Sequence, residues 1–287
     1  MTQIVTNPIL RDRAKNTVHR NLGRLIVMEL IFAALILAAI LLSFLLFMGN
    51  IKAALANYRF AQISSYVGDE LPALLPLAAP ALLSVLLVFL LSPLSMGLYK
   101  AHIDMARGLQ PSYSTLFCRF RNILGCIGLS LWITLKLLLW MLPSIGAMLL
   151  MGILGIMFDS DFIVAITPLV TMVVMLVCLI PASYRYHMAN YIYADDPSVG
   201  VFGAVDKSKG MMQFRKWQLF KLTFVYGLID GLVSYVVNLI TEALGASAGT
   251  ASAIAITVLT LISLAVTVYL NFRASLCDTH FYEEYKY

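Results

Sequence analysis

Residues 180–220, IPASYRYHMANYIYADDPSVGVFGAVDKSKGMMQFRKWQLF, join two long apolar runs and decide how the chain is read. The stretch ends one apolar run, continues as an aromatic helical segment, and breaks at Asp195-Asp196-Pro197-Ser198. It resumes with a basic segment carrying Lys207, Lys209, Arg215 and Lys216 before the next apolar run. Asp followed by Pro supplies a cap and a first helical residue, so a short helix is expected to start there and lie along a membrane surface.

The rest of the chain supports a membrane setting. Of 287 residues, 61% are hydrophobic and 12% charged, with mean hydropathy +0.87. A soluble domain carries about a quarter charged residues. Crossing a ~30 Å hydrocarbon layer takes about 20 apolar residues in a helix. Six runs meet that length, near 25–48, 74–98, 123–157, 162–183, 218–240 and 251–272. The expected fold is therefore all-α and polytopic, with residues 1–24 as an amphipathic helix, 25–272 as one six-helix membrane domain and 273–287 as a tail. Leu10, Ala14, Val18 and Leu22 recur at helical spacing among basic residues, the pattern of a helix lying on a membrane.

Orientation follows from where the cations sit. Seventeen of the twenty Lys and Arg residues fall in the N-terminal segment, the 100–122 loop, the 184–221 region and the tail. The 49–73 loop holds Lys52 and Arg59, and Lys136 lies inside a run. Both termini are expected in the cytoplasm. Arg119, Arg121, Lys207, Lys209, Arg215 and Lys216 are expected to meet anionic lipid headgroups or a protein partner there, whether a second copy or another chain; nucleic acid is not expected.

The order of the 180–220 stretch recurs earlier. PLSMGLYKAHIDMARGLQPSYSTLFCRFRNIL also runs from a proline at a span's end through a Tyr- and His-bearing helix (Tyr99, His102; Tyr184, His187). A Pro-Ser start and a segment ending in Phe-Arg follow in both. A shorter third copy reads YLNFRASLCDTHFYEEYKY, with Tyr269 and His280. We read a repeated helix-pair unit. In its first copy Tyr113, Leu116, Phe117 and Phe120 fall at i, i+3, i+4, i+7, an aromatic face expected to sit in lipid.

Charges within apolar runs are the sharpest chemical signals, because burying one in lipid costs at least ~2.5 kcal/mol unless it is paired or hydrated. Counted from the start of each run, Lys136 lies ~20 Å deep and Asp230 ~15–20 Å deep. They are expected to pair, either as an ion pair fixing helix register or as part of a substrate or proton pathway. Thr257, Thr260, Ser263, Thr267 and Asn271 form a polar stripe on the last run, for helix packing or for lining a pore. His102, His187 and His280 are metal candidates only if their helix ends converge, since no two share a ligand spacing. No P-loop, nucleophile elbow, HExxH or dinucleotide fingerprint is present, so a non-catalytic protein without cofactor is expected.

The 180–220 stretch resembles a bacterial membrane family known as domain of unknown function 975. The likeness is carried by Tyr191-Ile-Tyr, by Asp-Asp-Pro-Ser at 195–198, by Asp-Lys-Ser-Lys-Gly-Met-Met at 206–212 and by Trp217-Gln-Leu-Phe. It extends more loosely to Arg11–Lys15, and departs from the family pattern at Ala182-Ser183 and Phe214, where glycine is usual. A more distant likeness is to the membrane domain of glycerophosphodiester phosphodiesterases. The resemblance implies a bacterial plasma-membrane protein and no activity. Two function classes follow from the residues: a transport or export component, or a scaffold that binds a partner at its basic cytoplasmic face.

Overall fold

A computed structural model describes residues 5–63, 89, 91–245 and 250–286. Every element of regular structure among them is helical. In chain order they are α1 (Asn7–Ile63), α2 (Ser92–Ala106), a 3-10 segment (Tyr113–Asn122), α3 (Ile123–Met157) and α4 (Asp161–Asp195). A 3-10 turn (Pro197–Val199), α5 (Gly200–Met212), α6 (Lys216–Gly245) and α7 (Thr250–Tyr285) follow. Among the described residues, five helices are long and apolar enough to cross a membrane, within α1, α3, α4, α6 and α7. The second expected run, 74–98, lies outside the described residues up to 88. Its described end belongs to α2, where Pro93 occupies the first turn and so removes no helical hydrogen bond.

Helices α3 and α4 form a long antiparallel hairpin. Near the turn at Phe158–Ser160, Gly155 lies so close to Val164 that a Cβ on it would fall 2.9 Å from the valine methyl. At the far end Gly125 faces Tyr193, whose hydroxyl would be 1.8 Å from a Cβ there. Each helix has 35 residues and is thus ~52 Å long, well beyond the ~30 Å apolar layer. With one edge at the turn, such a layer would end near residues 137 and 181. The remaining two-fifths of each helix would extend past it.

Lys136 is 21 positions from Met157, ~32 Å along the helix, so a ~30 Å layer with its edge at the turn would end beside it. Its ammonium rests 4.6 Å from the centroid of Trp132, and Trp132 packs edge-on against Phe202 of α5 at 5.0 Å. An amphipathic cation over an indole is the usual furniture of a membrane interface.

The buried core sits at the overhanging end. Its members come from the start of α1 (Leu10 to Met28), from α2, from Leu116 of the 3-10 segment, from the start of α3, from residues 186–194 of α4, from α5, from the start of α6 and from residues 272–285 of α7. Along the apolar runs, large side chains stay exposed: Leu149, Leu169, Val177, Leu232 and Leu261 are each more than half accessible. The contrast has a physical cause. Lipid tails give no hydrophobic drive for one span to bury against another, whereas water at the overhanging end does. We call this end the platform.

Several expectations change here. Leu10, Ala14 and Val18 are fully buried in the platform instead of lying on lipid, and only Leu22 of that stripe is substantially exposed. Asn21, with φ −121° and ψ 15°, kinks α1 where the platform segment gives way to the span. Residues 49–63, read as loop, continue α1. The aromatic segment at 113–122 is 3-10, so its face splits: Leu116 is buried while Tyr113, Phe117 and Phe120 face outward. Gly97 of α2 permits this, since a Cβ there would meet the Leu116 carbonyl oxygen at 2.0 Å.

Candidate functional site

The repeated units meet at the end of α4. Tyr99 of α2 packs tilted against Tyr191 of α4 with ring centroids 4.7 Å apart, and Tyr191 stacks at 6.0 Å on Tyr282 of α7. These rings bring the last turns of the helices together, where their charges join. Arg107, just past α2, donates from Nη1 to Asp195 Oδ1 at 2.9 Å and from Nη2 to Asp195 Oδ2. It also donates to Glu283 Oε1 from Nε at 3.1 Å and Nη2 at 2.8 Å. Lys100 bridges Asp195 at 3.2 Å and Asp104 at 3.0 Å. The Tyr282 hydroxyl donates to Asp195 Oδ2 at 3.2 Å. Bidentate guanidinium–carboxylate geometry of this kind is both strong and directional. The Asp195 hydrogen bonds chiefly, against burial and with help from Glu283, raise the Arg107 pKa further, so this cation does not titrate.

Arg119 closes the same helix end from the other side. Its Nη2 donates to the backbone carbonyls of Ala194 and Asp195, the latter at 3.2 Å. These carbonyls lack partners within the helix, and a cation is the favoured cap. Asp196 then accepts from Ser198 N at 2.9 Å and Ser198 Oγ at 2.6 Å, the cap expected at Pro197, and Gly200 turns the chain at φ 73° into α5.

Beneath the ion pairs lies a buried polar layer. His187 Nε2 shares a 2.9 Å hydrogen bond with Asp278 Oδ2, while Asp278 Oδ1 is buried without a partner among the described residues. His280 Nε2 shares a 3.0 Å bond with the Thr17 hydroxyl. His102 is 1% exposed with both ring nitrogens unpartnered, and burial lowers its pKa to about 4. The three histidines thus face separate neighbours, and among the described residues no group of three metal-ligating side chains forms.

Other expected site residues fall as follows. Lys136 and Asp230 do not pair. Asp230 accepts from Thr267 Oγ1 at 2.6 Å, while Lys136 keeps to Trp132 and adds its charge to that of Lys209 in lowering the pKa of Asp206. Of the polar stripe, Thr257 and Thr260 return their hydroxyls to the carbonyls of Ala253 and Ile256 in their own helix. Ser263 is half-buried and Asn271 exposed. Gly249, expected to pair with Gly245, is outside the described residues. Lys209 is held by Asp206 at 2.6 Å, Arg121 is exposed and Lys216 is half-buried.

Lys207 and Arg215 share a groove. A cavity of about 460 Å³ opens beside the junction, with Ile192, Val199 and Met211 as apolar lining and Tyr282, Tyr285, Lys207, Arg215 and Lys286 around them. The Arg215 guanidinium lies 4.2 Å from the centroid of Tyr285. Asp195 and Asp196 also line the groove, each engaged as described.

Arg107, Asp195, Tyr282 and Glu283 are absent from the set singled out by sequence. Their signal was the repeat itself: basic and acidic residues of opposite sign stand at the ends of helices that the repeat aligns.

Among the described residues, fold and site together define a helical protein in which five membrane-length helices carry an ion-paired platform at one end. The chain belongs to the family described as protein of unknown function (DUF975), whose model matches residues 10–286. No curated protein and no solved structure matches it significantly.

Proposed function

We infer that the protein is a non-catalytic membrane scaffold whose platform faces the cytoplasm of a bacterial cell and docks a partner protein. One observation carries the reading: among the described residues, the network of charged groups from three helices gathers around Asp195 and the adjoining groove, near the helix ends. A transport route would need its mid-membrane charges in a common polar path. Lys136 keeps to Trp132, Asp230 is satisfied by Thr267, and neither lines the groove. The concentration of Lys and Arg at the platform end supports its cytoplasmic orientation.

Photocrosslinking in living cells tests this. A photoreactive residue at position 207 is expected to give a discrete protein adduct, while one at Leu149 in the apolar layer gives only lipid adducts. Adducts confined to position 149, or a solute flux in proteoliposomes that Asp230→Asn abolishes, would overturn the scaffold reading.

A further inference from the structure

We propose that the groove beside Asp195 is a binding site for an acidic peptide segment that carries aromatic side chains. The inference rests on the scaffold reading and names the chemistry of the partner. Two carboxylates line the groove, and the three cations that share it outnumber them. Asp195 is paired with Arg107 and Lys100 and accepts from Tyr282, while Asp196, hydrogen-bonded to Ser198, keeps its charge on the groove's rim. Three cations, Lys207, Arg215 and Lys286, line the same space. Lys286 reaches it while bridging Glu283 at 2.9 Å. The Arg215 guanidinium lies 4.2 Å from the centroid of Tyr285, a contact to the ring that leaves its N–H groups for carboxylates. Tyr282, Tyr285, Ile192 and Met211 give an aromatic or aliphatic side chain a place to pack.

Position favours a peptide over a lipid headgroup. Asp195 stands 14 residues past Pro181, ~20 Å beyond the end of the apolar layer. The headgroup zone extends only about 5–8 Å past that boundary. The rival is an anionic lipid, because Phe214 and Trp217 are exposed next to Arg215; it is one outcome of the test.

The test uses the full-length protein in nanodiscs of zwitterionic lipid, with a fluorescent random copolymer of glutamate and tyrosine as probe and polyglutamate as comparison. Wild type is expected to bind the Glu–Tyr copolymer at least tenfold more tightly than polyglutamate. Arg215→Gln combined with Lys207→Gln should weaken it at least tenfold, whereas Lys209→Gln, already held by Asp206, should leave it within twofold. Lys207→Gln alone, at an exposed position, should weaken binding measurably without affecting folding. Absence of copolymer binding, equal binding by the double variant, or displacement of the copolymer by phosphatidylserine added to the discs would each overturn the proposal. If the copolymer fails while the adduct from position 207 still forms in cells, the ligand class falls and the scaffold reading stands.

Discussion

Arg107 and Asp195, 88 residues apart in sequence, meet as a bidentate pair that ties the end of one repeated unit to the end of the next. Glu283, on the other edge of the same guanidinium, brings in the C-terminal unit. One side chain therefore locks helix ends from distant parts of the chain in register.

Asp195→Asn should loosen this junction, because it leaves Arg107 and Lys100 facing a neutral amide. The pair is partly accessible, so the loss should fall below the range for fully buried pairs, at about 1–3 kcal/mol. Thermal unfolding in detergent measures it. Arg107→Lys should recover little, since an ammonium cannot hold two carboxylates in a planar fork.

His102 makes the platform acid-sensitive. Its folded pKa of about 4 lies below the unfolded value near 6.5. As pH falls through that window the unfolded chain takes a proton that the folded chain does not, so stability falls with pH, by on the order of 3 kcal/mol across the window. His102→Leu should flatten the dependence between pH 6.5 and 4 and raise stability at neutral pH, because it removes two buried nitrogens without partners. An unchanged acid profile in the variant would exclude His102 as its source.

Gly97→Ala should be among the most damaging small substitutions. Its Cβ would collide with a backbone oxygen, which cannot rotate away as a side chain can, and a loss of about 3 kcal/mol or more is expected. Gly227→Ala, with nothing within 4 Å of the new atom, should change the melting temperature little. Equal effects at both sites would contradict the close approach of α2 to the 3-10 segment.

Double-mutant cycles separate the two intramembrane readings. Asp230 and Thr267 should couple by about 0.5–1.5 kcal/mol, the range found for hydrogen bonds between spans. Asp230 and Lys136 should be additive. Coupling between Asp230 and Lys136 instead would restore the expected ion pair.

How far the sequence could be read depended on the solvent each residue meets. The ends of α3 and the existence of α4, α6 and α7 were legible, because continuous apolar runs mark helices whatever surrounds them. The partners of Lys136 and Asp230 were misread because similar depth along two runs does not say which helices are neighbours. Leu10, Ala14 and Val18 were misassigned because an amphipathic stripe shows that a helix has an apolar face and says nothing of what covers it. The Asp196-Pro197-Ser198 cap was readable because its hydrogen bonds are local. The Arg107–Asp195–Glu283 junction was not, since it depends on contacts between residues far apart in the chain.

The account turns on the Asp195 junction building a face that holds a partner, and one measurement addresses it: the yield of the protein adduct from position 207 in Asp195→Asn cells relative to wild type, normalised to protein in the membrane. The account predicts at least a fivefold loss of adduct with the chain still inserted. An undiminished adduct in that background would contradict it.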